Sequence, residues 1–470
     1  RPKDLVNSVR GIVLGDQSGS LDLDDFDDDD EVVSATERRK RATVAVEELG
    51  KEVARDAGAL AALLPELIRG SGKLGEFGRG LALGAKDPHA LWGQLVGEVA
   101  KQDKANIQLL LGFLSGLETR DSAEANALLD EAIDDQTMGA WFPTLQTAVT
   151  IDEAGVKRLH RALELGKASI GRFFDLVYGG VCEPISGPAF RDLMLAIGAK
   201  QDGNRVALEI LSMRLHSDGT AKRKPLPETV EAGRRLLADY QFTRRENRAD
   251  HDDYKLGVVA VACLIGPEGA PVARKMVRDL KAAIGKYDVH AWEQDDLLRG
   301  LFETQPAATL DELAAGSDKD RQKSIDLVQE TMRHRQNPSR VVPDEALLEW
   351  CDADPSMRYP FASNVALLFS RPNDQTPHEW QPIAKTLLER APDPVAVFRV
   401  IGARLWPTSF SGSVASKFES RVQLLDKLAI GSNPALVAAV RATRADLAER
   451  VERERRDELE EDRAQSGRFE

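Results

Sequence analysis

Signals for a helix start recur along this chain at a nearly constant interval, and this regularity restricts the fold more than any other feature. Each signal places a residue type that caps helix N-termini directly before a helical stretch. The signals are Asp87-Pro88, Asp121-Ser122, Asp152-Glu153 and Ser186-Gly187-Pro188. They lie 34, 31 and 34 residues apart, which predicts helical units that follow one another in register.

Apolar stripes with helical spacing fill these intervals, two to a unit. The stripes are Ile107, Leu110, Leu111, Leu114 and Leu117; Val156, Leu159 and Leu163; and Ala207, Ile210, Leu211 and Leu215. The breaks between paired stripes are expected at Gly112–Gly116, Gly166–Ser169 and Gly198–Gly203. On the second stripe's helix, Lys157, Arg158 and Arg161 are expected on the far side. The apolar run Val258–Ile265 has no evident partner strand, so it fits a buried helix.

The repeated helix pair predicts an all-α fold, an α-solenoid. The interval is near tetratricopeptide length, but that consensus is missing, so degenerate HEAT-like pairs describe the chain better. We divide the chain into an acidic flexible linker (1–33), a helical lead-in with a Gly-rich hinge (34–86), regular repeats (87–220), degenerate repeats (221–433) and a C-terminal charged helix (434–470). Past Glu452 this last helix is almost all charge, so it should project from the body and fray.

The net charge of −14 is unevenly distributed. Residues 1–31 carry ten acids and three bases, so half of the excess lies in this short segment. The run Asp16–Glu31 is polar and self-repelling, and it lacks the residues that a calcium loop needs. The remaining chain is close to neutral, and the acidic balance argues against a protein that binds DNA over its whole surface.

Several classes of protein are excluded at once. No run of about 18 apolar residues exists, so no membrane span is expected. The first residues lack the pattern of a secretory signal, and three isolated cysteines fit a reducing compartment, so we expect a cytoplasmic protein. Because the chain begins with Arg1, we expect a fragment of a longer protein.

Two motifs superficially resemble catalytic or cofactor sites. Gly70–Gly75 matches GxGxxG, but Leu60–Ile68 before it is helical, and a dinucleotide fingerprint requires a strand there. The segment is therefore interpreted as a hinge between helices. His251-Asp252-Asp253 resembles the HD pair of metal-dependent phosphohydrolases, yet the other histidines supply no second such motif. A helix-capping Asp252 explains the segment more simply.

No catalytic, cofactor-binding or metal-binding residue is assigned. The chain contains no GxSxG, and no cysteine has a nearby histidine. We therefore expect no enzymatic activity and no cofactor from the chain as given. The six tryptophans are expected to anchor the interfaces between repeats.

Basic segments are the remaining candidates for binding nucleic acid or a partner. Between residues 220 and 249 eight bases face four acids. The eight are Lys222, Arg223, Lys224, Arg234, Arg235, Arg244, Arg245 and Arg248. A concave face lined in this way could hold phosphates, although a solvated helix face is the simpler interpretation. A second block, Arg38–Arg41, follows the acidic run and could pair with it.

Three segments carry a resemblance to a known group of proteins. They are Ala127–Val149, Val206–Gly219 and Pro407–Leu428, the last followed by an Arg/Glu-rich helix and Arg468-Phe469-Glu470. The chain from Asp87 to Glu470 resembles the C-terminal helical-repeat region of large multidomain bacterial NTPases, many of them associated with phage defence. The resemblance implies a sensor or scaffold arm, with nucleotide-binding and effector domains upstream. No NTPase core is present here, so no nucleotide-binding residue carries over.

The sequence thus predicts a non-catalytic scaffold or sensor arm of a bacterial defence-type assembly. Its partner would be another protein or the upstream domains of the same polypeptide. One alternative is a nucleic-acid-binding α-solenoid that uses the basic segment 220–248. A less favoured alternative is a helical metal-dependent hydrolase.

Overall fold

A computed structural model describes residues 4–15, 35–243, 252–334, 337–370, 377–406, 412–428 and 433–466. Helices account for nearly all regular structure in these ranges. The strands there are the two-residue β1 (Phe369–Ser370) and β2 (Glu379–Trp380), antiparallel with Phe369 opposite Trp380. The prediction of an all-α fold is confirmed. No helix within the described ranges is long and apolar enough to cross a membrane.

The chain divides into two compact units, Arg1–Ala232 and Gly233–Glu470. The first unit contains α1 (Leu5–Ile12), α2 (Ala35–Val53), α3 (Ala57–Arg69), α4 (Leu74–Gly84), α5 (Pro88–Val99), α6 (Gln108–Arg120), α7 (Ser122–Ala132), α8 (Phe142–Gln146), α9 (Glu153–Leu165), α10 (Gly187–Gly198) and α11 (Gly203–Thr220), with 3₁₀ helices Met138–Trp141 and Ile170–Val177. Helix α12 (Pro227–Ala238) contains the boundary between the units. Alternate helices pack together: α4 lies against α2 and α6, and α5 against α3.

The predicted helix starts are confirmed. The carboxylates of Asp87, Asp121 and Asp152 each accept a backbone N–H in the first turn of α5, α7 and α9, at 2.9, 3.1 and 2.9 Å. Ser186 directly precedes α10, although its side chain makes no capping bond. Three of the four signals therefore work by satisfying a free N–H at the helix end.

One predicted break is wrong. Gly112 and Gly116 lie inside α6, which is continuous. A Cβ on Gly112 would lie 1.9 Å from the carbonyl oxygen of Gly75 in α4, so this glycine permits backbone-to-backbone contact between two helices. The other two breaks are confirmed, because Gly166 ends α9 in a left-handed conformation (φ 64°) and Gly198–Gly203 separates α10 from α11.

The predicted apolar stripes are buried except for the half-buried Leu111, but the expected position of Arg158 on α9 is wrong. Its side chain is only 6% exposed. It donates to Oε1 of the fully buried Gln146 at 3.0 Å and to Asp130 at 3.1 Å. Arg161 on the same helix is exposed, as expected, and pairs with Asp134.

Basic side chains from distant parts of the sequence bind the carbonyls at several helix ends. The donors and acceptors are Arg120 to Ala82 and Ala85, Lys167 to Asp134 and Asp135, Lys281 to Glu312 and Leu313, and Arg404 to Ser363 and Ala366. The separations run from 31 to 41 residues in sequence. Free carbonyls at a helix C-terminus favour a cation, so these bonds connect successive helix pairs.

The second unit contains α13 (Asp252–Cys263), α14 (Gly269–Gly285), α15 (Asp295–Thr304), α16 (Pro306–Ala314), α17 (Asp318–His334), α18 (Asp344–Asp352), α19 (Pro355–Val365), α20 (Pro382–Arg390), α21 (Pro394–Arg404), α22 (Val414–Asp426) and α23 (Pro434–Ser466), with 3₁₀ helices Ala291–Glu293 and Pro338–Val341. Alternate packing continues, with α13 on α15, α17 on α19 and α21 on α23. Helix α13 confirms that the apolar run is helical from Val258 to Cys263, whereas Ile265 lies beyond the helix and is 66% exposed.

The expectation that the C-terminal helix projects and frays past Glu452 is wrong as far as Glu458. Past Glu452, the side chain of Glu454 is only 9% exposed. Glu458 accepts the Ala415 N–H at 3.0 Å and the Ser413 hydroxyl at 2.9 Å, so it caps the start of α22. Glu458 and Arg455 therefore contact α22, whereas most charged side chains past Glu452 are exposed.

The tryptophans differ in burial. Trp92 is buried and stacks on Phe113 of α6, and the Trp350 indole N–H donates to Asp311 of α16 at 2.8 Å. These two link different helices, as expected. Trp292 and Trp406 are 36% and 40% exposed. These two tryptophans therefore bury less surface than expected of residues that anchor an interface between repeats.

Candidate functional site

A cavity of about 520 Å³ opens in the first unit beside α11, and we call it the cleft. Leu176 and Val177 of the 3₁₀ helix and Ile210 and Met213 of α11 line its apolar part. Arg214, His216, Ser217 and Thr220 of α11 add polar groups, and Glu183 and Arg223 line it from the flanking loops. Its volume lies within the range of ligand pockets, about 300–1,000 Å³.

One wall of the cleft is a glycine turn that begins at Tyr178. Gly179 and Gly180 both adopt left-handed φ values, 69° and 66°, which side-chain-bearing residues rarely adopt. Tyr178 is 61% exposed at the entrance, and its ring meets that of Phe174 edge-on at 5.9 Å. Met213 across the cleft is 41% exposed. The entrance therefore presents two large apolar side chains to solvent.

The polar part of the cleft is a network of paired charges. The Arg214 side chain is 9% exposed and donates through Nη1 to the Cys182 carbonyl at 2.5 Å. Its Nε makes no hydrogen bond, and the nearest partner there is the Asp218 carboxylate at 3.8 Å. Asp218 is buried and accepts from Arg223 Nε at 2.9 Å.

Glu183 is the second acid of this network. It accepts from the Ser217 hydroxyl at 2.5 Å and lies 3.7 Å from the Arg223 guanidinium. The Ser217 hydrogen bond, with the nearby charges of Arg223 and Arg214, lowers the pKa of Glu183. Glu183 is therefore ionised at neutral pH, and the two arginines and two acids balance one another.

Helix α11 ends beside the cleft in a Schellman motif. The Arg223 N–H reaches the Asp218 carbonyl at 2.7 Å, and the Lys222 N–H reaches the Gly219 carbonyl at 3.0 Å. Lys222 occupies the left-handed position of this motif with φ 53°, where glycine is usual. The turn exposes Lys222, Arg223 and Lys224 in succession.

The structure separates the predicted basic residues by role. Arg223 lines the cleft, and Lys222 and Lys224 are exposed on either side of it in sequence. Arg234 donates to the carbonyls of Cys263 and Ile265, at 2.7 and 2.9 Å, and also pairs with Glu268. Arg234 therefore caps the end of α13. Arg235 is exposed on α12, and Arg244, Arg245 and Arg248 lie outside the described residues.

The second basic block lies near the start of α2. Arg39, Lys40 and Arg41 are exposed on that helix, and Lys40 lies 3.9 Å from Glu37. The side chain of Arg38 and the acidic run Asp16–Glu31 lie outside the described residues.

The glycine motif Gly70–Gly75 joins α3 to α4, and a helix precedes it as expected. A Cβ on Gly72 (φ 125°) would lie 2.0 Å from the Val13 carbonyl oxygen, so the motif allows the end of α1 to pack closely. This geometry is a helix connection and lacks the strand of a dinucleotide site.

The HD motif is only partly described, since His251 lies outside the described residues. Asp252 is the first residue of α13 and accepts the Tyr240 hydroxyl at 3.0 Å. Asp253 accepts the N–H groups of Asp296 and Leu297, both at 2.9 Å, and so caps α15. Burial, together with the carboxylates of Asp295 and Asp296, raises the pKa of Asp253 to about 7.

Asp253, Asp295 and Asp296 bring oxygen atoms within 4.8 Å of one another. Both Asp253 oxygens already accept backbone hydrogen bonds. The cluster is thus accounted for by the start of α15. Cys182, Cys263 and Cys351 are buried, and burial raises the pKa of each thiol to about 12, so none is poised as a nucleophile.

Sequence reasoning missed Tyr178, Met213, Arg214 and Glu183. The consecutive glycines after Tyr178 were the available signal, since paired glycines mark a turn that positions its neighbours. Comparison of the chain with protein-family models, curated proteins and solved structures finds no match. The cleft must therefore be interpreted from its own chemistry.

Proposed function

We propose that this chain is a non-catalytic helical-repeat scaffold or sensor arm that recognises a protein partner at the cleft. The observation that carries the proposal is the cavity of about 520 Å³ with Tyr178 and Met213 exposed at its entrance. Following the resemblance stated above, the arm would belong to a larger bacterial defence-type assembly. Binding would then bias the arrangement of attached domains.

The composition of the entrance supports protein recognition. Aromatic residues, methionine and arginine are enriched at protein interfaces, and a few such residues supply most of the binding free energy. Tyr178 and Met213 offer exposed apolar surface around the cavity, with Arg223 at its edge. The glycine turn and the paired charges hold these groups in place before a partner arrives, which reduces the ordering cost of binding.

The paired charges and the thiol of the cleft give no support to catalysis there. Arg214, Asp218, Arg223 and Glu183 are engaged with one another. The nearest thiol, Cys182, is buried with a raised pKa. A general acid or base needs a free position within hydrogen-bond reach of a substrate.

Nucleic acid is the second candidate, favoured by the exposure of Lys222 and Lys224. Among the described residues neither lysine forms an ion pair. Arg223 and Arg234 of the same segment serve the cleft network and the cap of α13. Reversal of Arg234 would therefore damage the fold and should be avoided in a binding test.

Selection of random peptides displayed on phage against the full chain tests the proposal. We expect enriched peptides whose affinity falls at least tenfold when Tyr178 and Met213 are both replaced by alanine. Tyr254→Ala is the control, because Tyr254 is 53% exposed on α13 in the other unit. Failure to enrich peptides, or binding that is insensitive to the double substitution, would overturn the proposal.

A further inference from the structure

We infer that the cleft binds a protein segment in which acidic residues flank an apolar anchor side chain. This inference rests on the proposed function and specifies the chemistry of its partner. It follows from three separate features of the cleft: its unpaired cations, its strained lysine and its apolar lining.

The charges at the cleft leave a positive excess. The acids Glu183 and Asp218 face the guanidiniums of Arg214 and Arg223. Lys222 and Lys224 stand on either side of Arg223, are exposed, and form no ion pair within the described ranges. Two exposed unit charges are therefore carried by the residues on either side of Arg223, which lines the cleft. Such rim charges accelerate association and select partners of opposite charge.

Lys222 occupies a position that disfavours a side chain. Its φ of 53° is strained for a residue with a Cβ, and glycine would fill the same Schellman position without that cost. Strained residues of this kind occur preferentially at functional sites. The motif fixes the backbone of Lys222 directly beside a residue that lines the cleft.

The apolar lining accepts an anchor. Leu176, Val177 and Ile210 are buried at the cavity wall, with Met213 and Tyr178 at its mouth. A large apolar side chain inserted here would pack on this wall and remove exposed surface of Met213 and Tyr178 from water, which is the usual source of a binding hot spot. The anchor and the acidic residues would thus contact different parts of the same site.

A nucleic acid fits this arrangement less well than a peptide. It carries a negative charge on every nucleotide, so any part of it that lies near Glu183 and Asp218 brings a phosphate close to their carboxylates. A peptide can place its acids at Lys222 and Lys224 and an uncharged side chain in the cavity. The observations therefore favour an acidic peptide segment.

Fluorescence anisotropy with the full chain and four labelled synthetic peptides tests the inference. The probes are DDSFLSDD, its neutral form NNSFLSNN, its basic form KKSFLSKK, and DDSAASDD, which lacks the anchor. We expect DDSFLSDD to bind about tenfold more tightly than NNSFLSNN at low salt. This difference should nearly vanish at molar salt, and KKSFLSKK and DDSAASDD should bind most weakly.

Lys222→Gly separates binding from folding. It should weaken DDSFLSDD about threefold to fivefold while raising the urea midpoint of the chain, because glycine relieves the strain. Tyr287→Gly is the matched control. Tyr287 has φ 61° and occupies the same Schellman position at the end of α14, so it should raise the midpoint without changing affinity.

The outcomes distinguish the inference from the proposed function. Equal binding of acidic and neutral peptides, lost on Tyr178→Ala, would overturn the inference and leave protein recognition in place. Unchanged affinity in Lys222→Gly would also overturn it. Oligouridine that binds more tightly than DDSFLSDD and depends on Lys222 would replace it with the nucleic-acid alternative. Failure of every peptide would overturn the inference, whereas the phage selection decides the proposed function separately.

Discussion

Arg158 and Arg161, one turn apart on α9, differ completely in environment. Both follow the same sequence pattern, basic residues beside an apolar stripe. Arg158 nevertheless extends between helices because Gln146 and Asp130, from earlier in the chain, offer acceptors there. Periodicity predicts which face of a helix is apolar, but it cannot show which polar partners another helix presents to that face.

Replacement of Arg158 should therefore cost far more than replacement of Arg161. Arg158→Met removes the donor to the buried Gln146 side chain, and we expect a loss of about 2–3 kcal/mol in the free energy of unfolding. Arg161→Met, which removes an exposed pair with Asp134, should cost under about 1 kcal/mol. Urea unfolding of both variants measures the difference. Equal losses of the free energy of unfolding in the two variants would show that the buried hydrogen bonds of Arg158 do not stabilise the fold.

Asp253 gives the second unit a pH dependence of known sign. Its raised pKa of about 7 means that the folded chain holds this proton more tightly than the unfolded chain. Its contribution to stability is therefore greatest below about pH 4 and is lost as the pH rises to about 7. Asp253→Asn should flatten this decline, by roughly 2–4 kcal/mol between pH 4 and pH 8.

Urea unfolding of wild type and Asp253→Asn across this range tests the sign. Asp288→Asn on the loop after α14 serves as the control and should track the wild type. A variant that gains stability relative to wild type on acidification would mean that the folded chain favours the ionised form of Asp253, which then acts only as a helix cap.

At the scale of elements, glycine has two structural roles that sequence alone does not distinguish: it ends a helix, or it lets two helices pack closely. Gly166 ends a helix because its left-handed conformation suits glycine, and the sequence predicts this break. Gly112 occupies the middle of α6 because α4 passes too close for a Cβ. The second role, close packing of two helices, is apparent only from the position of the neighbouring helix.

Alanine substitutions distinguish a glycine that permits a close helix contact from one that has free space around it. Gly112→Ala should destabilise the chain by about 2–3 kcal/mol, since α4 and α6 must move apart. Gly93→Ala in α5 should stabilise it by roughly 0.5–1 kcal/mol, because no atom lies within 4 Å of its added Cβ. Thermal unfolding measures both. A stabilising Gly112→Ala would show that the helices are not in backbone contact.

Helix α23 illustrates the same limit for charge. Its acidic and basic residues predict a solvated helix, and its apolar residues Leu436, Val440, Leu447 and Val451 are buried as their spacing requires. The carboxylate of Glu458 nevertheless finds the free N–H groups at the start of α22. A charge is therefore no proof of a solvated face when a helix end lies nearby.

At the scale of the whole molecule, the chain forms two compact units, each with its own thiols. Cys182 lies in the first unit, and Cys263 and Cys351 lie in the second. All three are buried with raised pKa values, so a thiol reagent reaches them only when the surrounding structure opens.

Thiol labelling therefore reports the stability of each unit. In Gly112→Ala, labelling of Cys182 should accelerate roughly thirtyfold, as a loss of about 2 kcal/mol implies, while Cys263 and Cys351 keep their rates. Mass spectrometry after timed labelling under native conditions measures all three. Equal acceleration at every cysteine would instead mean that the two units open together.

The sequence by itself determined the all-α class, the capped helix starts and the buried stripes, because these depend on contacts within one or two helical turns. It did not determine the cleft. Tyr178 and Arg214 come from separate segments, and their meeting depends on how the 3₁₀ helix packs against α11. Of the predicted basic residues, the tertiary structure left Lys222 and Lys224 exposed beside an apolar cavity and engaged Arg234 at a helix end. These arrangements depend on contacts between residues that are far apart in sequence, so they form only when the chain is folded.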